Sequence, residues 1–464
     1  MIRGVLTATR EDSAARRPRV RVGLWGLFDT GDADGPTVRA VLAAELRRRV
    51  PGVELRAASP LGQPTARDGG LTPEALGEAT DARAAELAAT LDCVVVAGVV
   101  PLDDAALTAA YDRAVGAAGA TLLVRGLGEA AERRCPVGWH GVMLSGTPAG
   151  LAMRARPPAL LSVRDATSLA ALLQSDLAGE AVSVPHHGIL LARTLAADVV
   201  RRRVETWQAL DVLPGQGQTL LVDAAALHGA DGRVVLAALR QVAADSGLNM
   251  VVVDTRPSLG GAAVAAPIAA ARWLPGTAGI EDVAAAMSVA SVVLSATPLL
   301  SAIAAGYGRA VVALPGASAT GDAGVPGETT TDADGVADAL HRALAGPPPE
   351  PASEAIAVLD AELERLAQWV AARAGQEDAA AIDLVAPSPE AVRLAALRRA
   401  LLVEIGTLQA RIAALDTAHA IEVQALRDDL QRWRETAERV TTSKTWRYTE
   451  SARSLYRQLR ERPR

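Results

Sequence analysis

Cysteine, lysine and aromatic residues are scarce in this 464-residue sequence. Its two cysteines, Cys93 and Cys135, exclude a disulfide framework and any CxxC metal knuckle, and they are typical of a reducing cytoplasm. Aromatic residues make up only 3% of the chain and Phe28 is the sole phenylalanine, so the core must be aliphatic. Lys444 is the only lysine, a skew towards arginine that we attribute to a GC-rich genome rather than to chemistry.

Long apolar runs and an excess of positive charge are also missing. The apolar run Val94–Val100 is far shorter than the ~20 residues that a membrane helix needs. Residues 1–18 have no signal-peptide core, and we expect a disordered lead-in. The net charge of -6 argues against nucleic-acid partners. These absences predict a cytoplasmic protein that does not span a membrane.

Strand-like and helix-like segments alternate over most of the chain, which predicts βαβ units and parallel sheets. The alternation falls into two sets, and we therefore expect two Rossmann-like doubly wound domains at 19–200 and 217–345, with a ligand cleft between them. A closing helix follows at 353–374. The predicted strands are 19–24, 53–57, 91–99, 121–124, 159–163 and 181–184, then 219–222, 249–253, 271–274, 292–295 and 310–314.

The C-terminal part has a different character. After a linker at 375–389, leucines repeat at every seventh position through the segment 390–440, namely Leu394, Leu401, Leu408 and Leu415. The register slips by four residues at His419. This pattern predicts a coiled coil with a stutter and a homo-oligomer. A long amphipathic helix packed on its own domain is the alternative.

The tail, residues 441–464, has seven basic residues against two acidic ones. Ala452, Leu455, Tyr456 and Leu459 share one helical face. Such a basic amphipathic segment can lie on an anionic membrane surface. A frayed soluble terminus explains the composition as well.

The first candidate binding segment is the glycine-rich stretch Gly23–Asp32, between a strand and a helix. Gly26 and Gly31 would let the backbone approach a ligand, and the helix that follows favours an anion near Asp29 and Asp32. Alternatively, the segment is a turn that uses glycine and aspartate for backbone freedom and helix capping.

Two more candidates lie at predicted strand ends. Arg164, in the segment Ser162–Ser168, could clamp a carboxylate or a phosphate, or form a structural salt bridge beside a helix cap at Asp165 or Thr167. His186 and His187 could act as acid/base groups. Adjacent residues on an extended chain point to opposite faces, so the sequence predicts no metal site there.

The last candidate is the stretch 295–316, which reads as strand, turn, short helix and strand. Thr297 marks the predicted helix start, and Ser301 lies one turn further on. We expect this helix start to face the cleft, where a helix N-terminus favours an anion.

In this order, the segments resemble the polysaccharide pyruvyl transferase family. LWGLFDTGD resembles its first strand and glycine turn, SVRDATS its VRD-x-x-S element, and VPHHGILLA its V-P-D-P strand end, with His186 in place of the aspartate. Residues 288–314 are similar to its S-x-H helix start and G-x-P strand. Leu299 stands where that family's acid/base histidine is expected.

The resemblance implies a glycosyltransferase-B-like fold and an enolpyruvyl transfer from phosphoenolpyruvate to a sugar of a bacterial surface polysaccharide, with no cofactor. His186 or His187 would then replace the missing histidine. Because leucine cannot transfer a proton, a catalytically inactive binding or scaffold module is an alternative. A nucleotide-sugar glycosyltransferase is another, although 255–314 shows no clear nucleotide-binding constellation. The tail's Ser443–Thr449 is similar to tails of bacterial cell-surface glycosyltransferases.

Overall fold

The computed structural model describes residues 20–373, apart from 31, 63–70, 77–85, 102–134, 146–157, 174–180, 256–270, 275–277 and 316–327. Positions 431 and 454 are also described, and both are helical. Five predicted features therefore lie outside the described residues, apart from those two positions: the lead-in 1–18, the strand 121–124, the linker 375–389, the coiled coil 390–440 and the tail 441–464.

The first half of the described chain forms a parallel sheet. Its strands have the order β3-β2-β1-β4-β5-β6-β7, which is the doubly wound order with the switch point between β1 and β4. Runs such as CVVVAGVVP in β4 are almost wholly buried, because helices cover both faces of a parallel sheet. The strands are Arg21–Trp25 (β1), Glu54–Ser59 (β2), Glu74–Ala75 (β3), Cys93–Pro101 (β4), Val137–Ser145 (β5), Leu160–Val163 (β6) and Val182–Ser183 (β7).

The interior strand β5 is absent from the sequence-based prediction. Its sequence, VGWHGVMLS, has two glycines and a histidine where an apolar run is expected. The pairing with β6 shifts between Trp139 and Val142, and Gly141 in this bulge has a φ of +56°. A Cβ on Gly141 would lie 2.4 Å from Cε1 of His187, so glycine is needed to seat that ring.

The second half repeats the architecture. Its strands have the order β10-β9-β8-β11-β12-β13, and every described pairing is parallel. All five strands predicted here begin at the predicted residue, and a sixth strand at 328–330 was not predicted. The six strands are Thr219–Asp223 (β8), Asn249–Val253 (β9), Ala271–Leu274 (β10), Val292–Ser295 (β11), Ala310–Ala313 (β12) and Glu328–Thr330 (β13).

Two of the described helices begin at sequence signals that satisfy or spare their first N–H groups. Asp32 accepts hydrogen bonds from the backbone N–H groups of Asp34 and Gly35, and Pro298 opens its helix at a position that needs no N–H. In the described ranges, no helix is both long and apolar enough to cross a bilayer. The helices are Asp34–Arg49 (α1), Ala166–Leu173 (α2), Leu191–Thr194 (α3), Ala197–Ala209 (α4), Gly229–Ser246 (α5), Ile280–Val289 (α6), Pro298–Gly306 (α7), Val336–Ala345 (α8) and Ser353–Ala371 (α9).

The carboxyl ends of the two sheets face each other. The N–H of Ala33, after β1, donates to the carbonyl of Thr255, after β9, over 2.9 Å. One hydrophobic core includes residues of both sheets, among them Leu24 and Val253, and residues 1–382 form one compact unit. Two doubly wound parallel sheets that face each other in this way form the glycosyltransferase-B-like fold that the sequence predicts.

Two backbone segments meet closely at the seam between the halves. The 3₁₀ turn His187–Leu190, after β7, packs on helix α7 from the second half. A Cβ on Gly306 of α7 would lie only 2.1 Å from the carbonyl oxygen of Ile189. A Cβ on Gly188 would lie 3.3 Å from Leu299 Cδ1 and 3.2 Å from Ile303 Cγ1. The seam is therefore tight on both sides.

Helix α9 returns from the second sheet to the first. Asp360 receives hydrogen bonds from Arg49 Nη2 over 2.5 Å and from Arg193 Nη1 over 2.7 Å. The indole of Trp369 lies 3.4 Å from where a Cβ on Gly138 would be. The packing of this closing helix onto the N-terminal sheet couples the two halves a second time.

Candidate functional site

Three of the polar side chains at the carboxyl edge of the first sheet form one ion-pair cluster. Arg164 follows β6, His186 follows β7, and Asp34 opens α1. Arg164 donates from Nη1 to Asp34 Oδ1 over 3.0 Å and from Nη2 to Oδ2 over 2.7 Å. Nε2 of His186 lies 2.7 Å from the same Oδ1. The bidentate geometry of Arg164 is thus taken by a carboxylate of the chain itself.

His186 is held in one tautomer. Its Nδ1 accepts a hydrogen bond from the N–H of Gly188 over 2.9 Å, so in the neutral ring the proton is on Nε2, which donates to Asp34. Burial lowers the pKa of His186 from its ordinary value, and the Asp34 carboxylate offsets this only in part. Both ring nitrogens are engaged, and neither is free to exchange a proton with a ligand.

The Asp34 carboxyl is the ionised member of the cluster. Burial by itself would raise its pKa, but the charge of Arg164 and the hydrogen bonds from His186 and Arg164 hold the pKa well below its usual range. The cluster therefore has one positive and one negative charge beside a neutral imidazole.

His187 faces away from this cluster, as the alternation of adjacent side chains predicts. Its Nε2 lies 2.9 Å from Nδ1 of His140 on β5. Burial lowers the pKa of His140 to about 4, against a hydrogen bond to the backbone of Glu362, and burial also holds the pKa of His187 well below its usual range. The pair is a neutral, wholly buried contact between β5 and the 3₁₀ turn. The described residues contain no group placed to hold a metal ion.

The glycine-rich segment forms a closed turn in the described structure. A Cβ on Gly26 would lie 2.4 Å from the carbonyl oxygen of Ala97, so β4 occupies the space beside it at the switch point. Asp32 caps α1, and Asp29 is 4% exposed. Gly31 lies outside the described residues. Capping and close backbone approach, which the sequence offered as the alternative to ligand binding, account for Gly26 and Asp32.

The segment after β6 forms a helix cap and a salt bridge, which the sequence analysis gave as the alternative to ligand binding. Asp165 accepts hydrogen bonds from the N–H of Ser168 over 2.7 Å and from its hydroxyl over 2.6 Å. The same hydroxyl accepts from the N–H of Leu144 over 2.9 Å. The predicted cap at Asp165 is confirmed, and it ties α2 to the end of β5.

At the edge of the second sheet, Thr297 is bound inside the protein. Its hydroxyl donates to Asp223 Oδ2 over 2.8 Å, and its N–H donates to the hydroxyl of Ser295 over 3.3 Å. Asp223 also accepts from the backbone N–H groups of Ala225 and Ala296. The polar atoms that open α7 therefore join β8 to β11.

Leu299 and Ser301 follow on α7, and both are buried. Leu299 is 4% exposed and packs on Gly188. Ser301 is 1% exposed, and its hydroxyl has no hydrogen-bond partner among the described residues. The position that the resemblance assigns to a catalytic histidine is thus an apolar contact across the seam.

Sequence reasoning missed three residues that organise this site: Asp34, His140 and Asp223. Asp34 follows the motif that was considered, and its position in the first turn of a helix was the available signal. Asp223 ends a strand, a place where polar residues are candidates for a site. Nothing in the local sequence connects His140 with His187, because their contact depends on the β5 bulge.

No protein-family model matches the chain, and no curated protein matches it. Solved structures that resemble it include the UDP-GlcNAc 2-epimerase from Methanocaldococcus jannaschii in complex with UDP-GlcNAc and UDP, with a TM-score of 0.47 and 10% identity over 76% of this chain and 99% of that one. The UDP-GlcNAc 2-epimerase from Neisseria meningitidis has a TM-score of 0.45 at 10% identity, with the same coverage.

An α,α-trehalose 6-phosphate synthase from Burkholderia multivorans has a TM-score of 0.43 and 14% identity, over 76% of this chain and 96% of that one. Likeness at these low identities and scores says nothing about a shared activity or ligand.

Proposed function

We propose that this chain is a pyruvyl-transferase-like protein that does not catalyse transfer at its described site. It works instead as a binding or scaffold module, whose partner is a second copy of the chain, joined through segment 390–440. The observation that carries the proposal is that the side chains expected to hold and activate a donor are engaged inside the protein.

Three roles that the family resemblance assigns to side chains of this site are not available in the structure. Arg164 would clamp the donor carboxylate or phosphate, but Asp34 occupies both branches of its guanidinium. Thr297 would present a helix start, but its hydroxyl is bound to Asp223. Position 299 would supply the proton, but it is a leucine packed on Gly188. General acid/base groups typically contribute roughly 10²–10⁴-fold to a rate.

Nucleotide-sugar transfer is the second candidate, and the fold is what favours it. Two Rossmann-type sheets with facing carboxyl ends suit a nucleotide sugar as well as phosphoenolpyruvate. The pyrophosphate of such a donor would need a positive side chain such as Arg164, which is bound to Asp34, so we expect weak or no binding of UDP-sugars.

Release of inorganic phosphate is the measurement that tests for catalysis. Transfer of the enolpyruvyl group to two sugar hydroxyls gives a ketal and releases inorganic phosphate. We expect the full-length chain, mixed with phosphoenolpyruvate and an acceptor mixture of hexose oligosaccharides, to release no more phosphate by ³¹P NMR than buffer does. Protein-dependent phosphate release with ketal formation would overturn the proposal, and His186→Ala and His187→Ala would then test the replacement acid/base groups.

Leu299→His is the matched variant. It restores an imidazole at the expected position but leaves Arg164 bound to Asp34 and Thr297 bound to Asp223. We expect this variant to remain inactive. Activity in Leu299→His but not in the wild type would show that the leucine alone is responsible, and that the donor-binding residues are available.

A further inference from the structure

The Asp34 carboxylate is enclosed by three donors from two other side chains. It is held by both branches of Arg164 and by Nε2 of His186, and the Arg164 and His186 side chains are only 5% and 2% exposed. A planar guanidinium fork with one further N–H donor is a geometry by which proteins bind carboxylate ligands. Asp34 itself is 19% exposed, so it is the member of the cluster that reaches the surface.

The partners of Asp34 are positioned by other contacts. The N–H of Arg164 donates to Val142 O over 3.0 Å, and its Nη2 lies 3.5 Å from Met143 Sδ. His186 is fixed through Gly188. The start of α1 is capped by Asp32 rather than by the Asp34 side chain. Removing the Asp34 carboxylate should therefore leave Arg164 and His186 in place, with their donors directed at an empty space.

We propose that Asp34 is an internal plug, whose carboxylate occupies an anion site built by Arg164 and His186 for a small carboxylate. The inference rests on the proposed function and deepens it, since it names the internal contact that closes the site. A ligand can displace the Asp34 carboxylate only if it binds Arg164 more tightly than this tethered carboxylate does. We therefore expect free carboxylates not to bind at Arg164 in the wild type.

Two cavity variants of the full-length chain test the plug by size. Asp34→Ala removes a group with the size of formate, and Asp34→Gly removes one with the size of acetate. Thermal melts are recorded in formate or acetate up to about 50 mM, with chloride keeping the ionic strength constant. For a site of about millimolar affinity, we expect the melting temperature to rise by several degrees. Formate should be the better ligand for Asp34→Ala, and acetate for Asp34→Gly.

The control variant is Asp92→Ala. It also removes a carboxylate from an arginine on this sheet, but Arg21 has a side chain that is 50% exposed and forms no enclosed site. Its melting temperature should respond to the anions no more than that of the wild type. The double variant with Asp34→Ala and Arg164→Met should also lose the response.

Equal responses of the Asp34 variants, the wild type and Asp92→Ala would overturn the plug. If Asp34→Ala does not fold in chloride, recovery of its circular dichroism signal by formate supports the inference, and failure to recover refutes it. Phosphate release by the wild type would refute the proposed function without affecting these melts, so the two failures can be told apart.

Discussion

Replacing Gly306 by alanine should loosen the contact between the two halves. The new Cβ would lie 2.1 Å from the carbonyl oxygen of Ile189 and 2.9 Å from its carbonyl carbon, whereas ordinary contact begins at 3.4 Å. Both atoms belong to the backbone, so α7 and the 3₁₀ turn must separate by roughly 1 Å. Overpacking of this kind costs about 3 kcal/mol, which lowers the melting temperature of a unit of this size by about 4 °C.

Differential scanning calorimetry of the full-length chain measures this effect. Gly346→Ala is the matched control, because Gly346 is exposed, has a φ of -79°, and would place its Cβ no closer than 3.4 Å to Arg342 O. We expect the control to melt within about 1 °C of the wild type. If Gly306→Ala melts like Gly346→Ala, the two halves do not meet as tightly as the structure indicates.

Three further predictions concern acid, self-association and membranes. His140 binds protons less readily in the folded than in the unfolded chain, so the stability it contributes is present above pH 6.5 and is lost as the pH falls towards its folded pKa of about 4. Urea unfolding should show that the free energy of unfolding falls by about 2 kcal/mol from pH 7 to pH 5 through His140 alone, and falls further through His186 and His187. Equal free energies at the two pH values would contradict the buried neutral histidines. Full-length protein should sediment as an oligomer at micromolar concentration, and a chain truncated after Ala374 should sediment as a folded monomer. A monomeric full-length protein would refute the coiled coil. The tail from Thr441 should bind anionic vesicles in a salt-sensitive way, and equal binding after its deletion would exclude this role.

Periodicity predicted the second sheet well because its strands are short, apolar and separated by amphipathic helices. Strands Asn249–Val253, Ala271–Leu274 and Val292–Ser295 have the predicted bounds. Strand β5 was missed because Gly138 and Gly141 interrupt it, and both glycines serve tertiary contacts: the first with Trp369 and the second with His187. A local pattern cannot show a contact of that kind.

The sequence predicted the segments that make up the candidate site, but it did not predict which side chains in them form hydrogen bonds and ion pairs with each other. The sequence located Arg164, His186 and Thr297 at strand ends, where the fold places them. Their engagement depends on Asp34 and Asp223, which are distant in sequence from the residues they bind. Because an ion pair across two elements leaves no periodic signal, the sequence could offer a salt bridge at Arg164 only as an alternative to ligand binding.

Titration calorimetry of phosphoenolpyruvate into the full-length wild-type chain is the most direct test of the claim that the donor-binding side chains are engaged internally. With Arg164 bound to Asp34 and Thr297 bound to Asp223, the account predicts no saturable heat up to millimolar ligand. Saturable binding at one site per chain, weakened in Arg164→Met, would contradict it.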